Sequence, residues 1–292
     1  MCGNNMNIGD IVIRKSYDGD IKFKVVDIKI ENAEEIYVLK GTSVRIIADS
    51  REDDLEVVEE DYQGEQEKIL NKRVCRAINN AINYRQENNI NIVSNQKKNR
   101  NELVFGRPGK ILHIDGDSEY MENCLKVYKQ LNLDAIGRTI PESKQPKVVV
   151  SLVKEYNPDI VVITGHDSIS KKTQDYLDIN CYRNSKYYID SIKALRNYNS
   201  SYDELVIFAG ACQSCYEAIL DAGANFASSP GRVLIHCLDP VFVCEKIAYT
   251  RIDKVASITD IIDNTITGIR GIGGLQTRGK YREGYPKSSF LT

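Results

Sequence analysis

A chain of 292 residues with 42% hydrophobic and 27% charged side chains has the composition of a globular protein, and no apolar run approaches the ~20 residues that a membrane helix needs. With 39 basic and 41 acidic residues the net charge is −2, so no global field draws the chain to nucleic acid. Met1–Asp10 lacks the basic and apolar regions of a signal peptide, and a cytoplasmic start is expected.

Residues 1–62 read as a small β module. Ile8–Arg14, the turn Tyr17-Asp18-Gly19-Asp20, Ile21–Val26, Glu35–Gly41 and Val44–Ala48 give four or five short strands at the spacing of an SH3-like barrel. Nothing in it looks catalytic. Residues 63–109 form a helix and a polar linker. Ile69, Leu70, Val74, Ala77, Ile78, Ala81 and Ile82 fall at helical spacing, and the stretch 88–109 then turns polar, from Asn88-Asn89 through Lys97-Lys98 to Gly106-Arg107-Pro108-Gly109. Charge shifts along the way: residues 7–60 hold 14 acidic and 8 basic side chains, residues 61–110 hold 5 and 10. A solvated face is the simpler reading of the basic stretch.

Residues 110–292 alternate strands and helices. Strands are expected at Lys110–Ile114, Ala135–Ile140, Asp159–Thr164, Leu205–Ala209 and Arg232–His236. Helices fall near Ser118–Leu131, Lys147–Tyr156, Tyr187–Arg196, Cys215–Ala222 and Pro240–Tyr249. This order argues an α/β fold with a parallel sheet covered on both faces. The Gly-rich run Gly268–Gly274 does not sit between a strand and a helix, so it carries little weight as a nucleotide loop.

Two of these strands end in reactive residues. Asp159–Ile163 leads into Thr164-Gly165-His166-Asp167-Ser168, and Leu205–Phe208 leads into Ala209-Gly210-Ala211-Cys212-Gln213-Ser214. Carboxyl ends of neighbouring parallel strands converge on one crevice. The 46 residues between His166 and Cys212 accommodate one crossover connection, so the two strands can be neighbours. His166 is then the base and Cys212 the nucleophile of a cysteine hydrolase. A helix start just after Cys212 would favour its thiolate. Backbone N–H groups of Asp167 and Cys212 are the natural oxyanion donors.

Other readings of the same residues stand beside this one. A Cys after an apolar strand is often a small buried hydrophobe. Cys212-Gln213-Ser214-Cys215 is a C-x-x-C, as in thiol–disulfide redox proteins, although thioredoxin-like folds place it after their first parallel strand. Zinc on Cys212, Cys215, His236 and Cys237 is disfavoured because adjacent residues of a strand point to opposite faces. A scaffold built on the barrel is a third reading. The eight cysteines need no disulfides in a cytoplasmic chain. Asp115-Gly116-Asp117 places two carboxylates at the end of the first α/β strand, for recognition of a cation, for a metal, or as a cap of the following helix.

The motif pair Thr164–Ser168 and Ala209–Ser214, with the barrel around Gly9-Asp10-Ile11-Val12, resembles the YabG family of sporulation-specific proteases of spore-forming Firmicutes, over essentially the whole chain. The resemblance implies His166 and Cys212 as catalytic dyad, cleavage after Arg, self-processing, and no cofactor or metal. It also implies spore-coat, morphogenetic and germination-precursor substrates, met in the mother-cell cytoplasm, at the forespore surface and in the coat. The strand–His and strand–Cys blocks also look like caspase and clostripain, whose strand order would bring Asp115 or Asp117 beside the dyad as the S1 carboxylate. Those enzymes carry Gly directly after the His, whereas here Gly165 precedes it and Asp167 follows. Arg100 and Arg107, in the polar stretch, are the expected self-cleavage positions.

Overall fold

A computed structural model describes residues 6–31, 34–59, 61–87, 90, 104–170 and 173–288. The chain divides into two compact units, Met1–Cys75 and Arg76–Thr292. The first is an antiparallel sheet of β1 (Ile11–Arg14), β2 (Lys22–Glu31), β3 (Glu34–Gly41), β4 (Ile47–Arg51) and β5 (Leu55–Val57), in the order β4-β3-β2-β1-β5. Its alternating strands turn Val12, Phe23, Val25, Tyr37, Leu39 and Leu55 into one small core. Helix α1 (Glu65–Glu87) follows, and the division between the units falls within it.

Beyond α1 the described elements of the second unit start with β6 (Phe105–Arg107), β7 (Ile111–Asp115), α2 (Ser118–Gln130), β8 (Ala135–Thr139), α3 (Gln145–Tyr156) and β9 (Ile160–Thr164). It continues with α4 (Ser185–Tyr198), β10 (Val206–Ala209), α5 (Tyr216–Asp221), β11 (Phe226–Ser228) and α6 (Asp239–Tyr249). The last elements are β12 (Val255–Ala256), α7 (Ile258–Asp263), β13 (Ile272–Gly274), β14 (Thr277–Arg278) and β15 (Arg282–Gly284). The main sheet has the order β13-β11-β10-β9-β7-β8. All its pairs are parallel except β11 with β13.

Every residue of β7, β9 and β10 is buried, which is why β9 and β10 are almost wholly β-branched or apolar, while β7 carries His113 and Asp115 among its apolar residues. Leu112, Ile114, Val161, Ile163, Ile207 and Ala209 pack with residues of α3, α4 and α5. The opposite face meets α2 and α6. Pro146 and Pro240 open α3 and α6 within their first turn, where a missing N–H costs nothing.

Two expectations change. No strand covers 232–236; the strand beside β10 is β11, and the edge on that side is the antiparallel β13. Ser229 and Arg232 take left-handed φ values of 68° and 51°, which an extended strand cannot contain. The apolar run Val233-Leu234-Ile235 crosses the Cys212 loop instead of joining the sheet. Arg107 lies not in an open loop but in β6, opposite Arg282 of β15; Arg100 lies outside the described residues. The Gly-rich run ends in β13, where a side chain at Gly274 would collide with the ring of Phe226.

Candidate active site

Strand register places the site. Ile114 of β7 pairs with Ile163 of β9, and Ile163 pairs with Ala209 of β10. Three residues beyond those partners stand Asp117, His166 and Cys212. One line across the carboxyl edge of three adjacent strands therefore carries a carboxylate, an imidazole and a thiol.

His166 is held by its backbone and by its ring. Its N–H donates to Glu142 Oε1 at 2.7 Å; its carbonyl accepts from Asn184 Nδ2 at 2.8 Å and Tyr188 OH at 3.0 Å. Nε2 lies 3.1 Å from Asp117 Oδ2, and the ring centroid is 5.6 Å from that of Tyr120. Glu142 packs where a Cβ on Gly116 or Gly165 would have to sit, so both loops need glycine for this close approach. Nothing in the sequence marked Glu142, because its partners are backbone atoms of distant loops.

Cys212 is 1% exposed. Its Sγ accepts the Ile235 N–H at 3.1 Å, and the segment Val233–Ile235 covers it. Gln213 donates its N–H to Ser229 Oγ at 3.0 Å and has φ 56°, while Gly210 has φ 110°. Strained backbone of this kind clusters at active sites. The expected helix start beside the thiol is not there: α5 begins only at Tyr216 and has six residues. The Ile235 N–H is the donor on sulfur that the sequence did not reveal.

Asp167 ties the two motifs together. Its Oδ1 accepts the N–H of Ser168 at 2.9 Å and of Asn184 at 2.7 Å. Its Oδ2 accepts from Ser185 Oγ, and from Ser214 Oγ at 3.0 Å. Ser214 Oγ in turn accepts the Ala211 N–H at 2.8 Å, and Ser185 Oγ the Cys215 N–H at 2.8 Å. Burial pushes the Asp167 carboxyl up, against the pull of these four bonds. Among the described residues, the Asp167 N–H itself is donated to no acceptor, which suits the expected oxyanion role.

The two carboxylates expected in S1 both lie in hydrogen-bonded positions at the end of β7. Asp115 is 0% exposed; its oxygens accept the Asp117 N–H at 2.9 Å and the Thr164 hydroxyl at 2.8 Å. Asp117 faces His166 and caps α2, accepting the N–H groups of Glu119 and Tyr120. Asp115 is thus committed to the Asp117 N–H and the Thr164 hydroxyl, and Asp117 to the imidazole and the start of α2. A guanidinium is nevertheless held nearby, on the loop that covers Cys212. Arg232 Nε donates to Tyr182 OH at 2.7 Å, Nη2 donates to Tyr176 O at 3.1 Å, and Nη2 pairs with Glu217.

Cys215 is buried, and burial raises its thiol pKa, which opposes the thiolate that a redox partner needs. Burial also pushes the thiol of Cys244 up, to about 12, consistent with a core side chain. Among the described residues no cluster of three or more His, Cys, Asp or Glu could hold a metal ion. Nor is any helix among them long and apolar enough to cross a membrane.

Comparison with known proteins agrees with this architecture. Residues 7–286 match the family model of YabG peptidase U57. The sporulation-specific protease YabG of Bacillus subtilis (strain 168) is 39% identical over 289 residues, covering 97% of this chain and 98% of that protein. The chain belongs to the YabG peptidase family, the sporulation proteases.

Proposed function

We propose that the chain is a cysteine endopeptidase in which Cys212 is the nucleophile and His166 the general base. The observation that carries this reading is the register: both residues stand three positions beyond paired residues on adjacent parallel strands. Cys212 Sγ loses its proton to His166 and attacks the scissile carbonyl carbon. The oxyanion takes the backbone N–H groups of Asp167 and Cys212. His166 returns the proton to the leaving amine, and water hydrolyses the thioester. Substrate reaches the thiol only after Val233–Ile235 moves aside.

Cleavage after Arg belongs to the same proposal. Its support is chemical: Glu217, Tyr182 and the Tyr176 carbonyl already cradle Arg232, a ring and carboxylate arrangement that suits a guanidinium. We assign the S1 charge to Glu217 rather than to Asp115 or Asp117. Substrates are spore-coat, morphogenetic and germination-precursor proteins, processed in the mother-cell cytoplasm and at the forespore surface and coat. Self-processing is assigned to Arg100. At Arg107 the strand pairing with β15 must first open.

The test is hydrolysis of peptides that differ only at the residue before the scissile bond. Cys212→Ala abolishes cleavage and Cys215→Ala leaves most of it. Equal loss of a thiol–disulfide activity in both variants would establish the redox reading instead.

A further inference from the structure

We infer that Asp117 is a positioning residue that fixes the orientation and tautomer of His166, and that a buried polar chain beneath the site holds Asp117 in place. This rests on the reading of His166 as the base.

Asp117 Oδ2 lies 3.1 Å from His166 Nε2. Three further bonds fix Asp117, two on its carboxylate and one from its backbone N–H. Oδ1 accepts the N–H of Glu119 at 2.9 Å and of Tyr120 at 3.2 Å, so the side chain is locked as the cap of α2. The Asp117 N–H donates to Asp115 Oδ1 at 2.9 Å. Asp115 is in turn immobilised from below. The Thr164 hydroxyl donates to its Oδ2 at 2.8 Å. Since that hydroxyl hydrogen is committed to Asp115, Thr164 Oγ1 accepts from His113 Nε2 at 2.8 Å, and His113 Nδ1 then accepts from Tyr128 OH at 3.2 Å. The bonds run in one consistent direction, from Tyr128 through His113 and Thr164 to Asp115. All four of these side chains are buried, so the network has no water to relax into, and each member holds the next.

For His166 the consequence is a choice of nitrogen. With Nε2–H donated to a carboxylate, Nδ1 is left as the nitrogen that takes and returns a proton. The same contact stops the ring from rotating about χ2. The backbone bonds to Glu142, Asn184 and Tyr188 fix only where the residue starts, not which way the ring points. Asp117 acts through the imidazole.

Two substitutions separate this role from capping. Asp117→Ser keeps a good cap but is too short to reach the ring. Asp117→Asn keeps shape and cap; with its oxygen on the helix N–H groups, its amide N–H₂ faces Nε2 and forces the opposite tautomer. In steady-state hydrolysis of a fluorogenic peptide that the wild-type chain cleaves, both variants lower kcat about 10- to 100-fold with KM and melting temperature unchanged. Retention of wild-type kcat in either variant overturns the inference, provided Cys212→Ala and His166→Ala are inactive in the same assay. A loss of kcat matched by a loss of folded protein, followed by circular dichroism, also overturns it, since a cap alone would then account for the defect. If Cys212→Ala or His166→Ala keeps activity, it is the Cys–His reading that fails, and the Asp117 inference falls with it.

Discussion

Asp54 in the antiparallel unit and Asp167 in the parallel unit each gather four hydrogen bonds, and the two carboxyls move in opposite directions. Asp54 accepts the Ser16 N–H at 2.7 Å, the Ser16 hydroxyl at 2.8 Å, Arg14 Nε at 2.9 Å and the Ser50 hydroxyl at 3.2 Å. These bonds, Ser16's first, hold it down to about 2. Asp167 has as many partners, all neutral, and burial outweighs them. The bonds lower both carboxyls, but at Asp167 the desolvation is larger than they are. The meander of the first unit scatters its polar groups over a surface. The parallel sheet of the second gathers them at one edge, out of water, where the cost of a charge becomes available to chemistry.

The sharpest way to break this contrast is to remove the two groups proposed to react. Cys212→Ala and His166→Ala should each lower peptide hydrolysis roughly 10³-fold or more in single-turnover kinetics, with folding unchanged. Residual activity near wild type would return the parallel edge to the status of a packed core.

Next in size is Asp167→Ala. It strands the hydroxyls of Ser185 and Ser214 and the Asn184 N–H in the interior, and should cost about 2–4 kcal/mol in urea unfolding. A loss within the range of a surface change would show that Asp167 does not brace the two loops. Glu217→Gln tests the arginine cradle: kcat/KM should fall about tenfold for Arg peptides, since a single charge-assisted bond is lost. Peptides with an apolar residue in that place should be unaffected, and an equal fall for both would place the Arg site elsewhere.

The smallest effect reads the contrast most directly. Carbon NMR of the side-chain carboxyls should show Asp54 titrating near 2 and Asp167 above its ordinary value of 3.8. The signs differ accordingly. A depressed Asp54 contributes stability that is present above 3.8 and lost as pH falls towards about 2. A raised Asp167 favours the protonated form, so its contribution is present below 3.8 and lost as pH climbs through the raised value. Coincident titrations would erase the distinction between the two regions.

Much of the fold was legible because parallel strands buried on both faces read as apolar runs, and β9 and β10 are such runs. His166 and Cys212 were legible for the same reason, each following a run directly. What misled was hydrophobicity with another purpose. Val233-Leu234-Ile235 reads as a strand because it is apolar, but its backbone is spent on the Cys212 loop and not on a ladder. The strand that does lie beside β10, Phe226–Ser228, is three residues long and carries little signal. The bond from Asp117 to His166 could not be read at all. A carboxylate before a helix suits a cap, a metal or a cationic substrate equally well, and only the register of β7 against β9 brings it to the imidazole. Glu142 and Ile235 act through backbone contacts, which leave no pattern in side-chain type.

The covering of Cys212 also turns the thiol into a clock. Cys75 is exposed and Cys212 is not. An alkylating reagent meets the first at once and the second only in the moments when Val233–Ile235 stands open. The ratio of the two labelling rates, followed by mass spectrometry of peptides from the native chain, therefore reports how often the enzyme is ready to work, before any substrate is known.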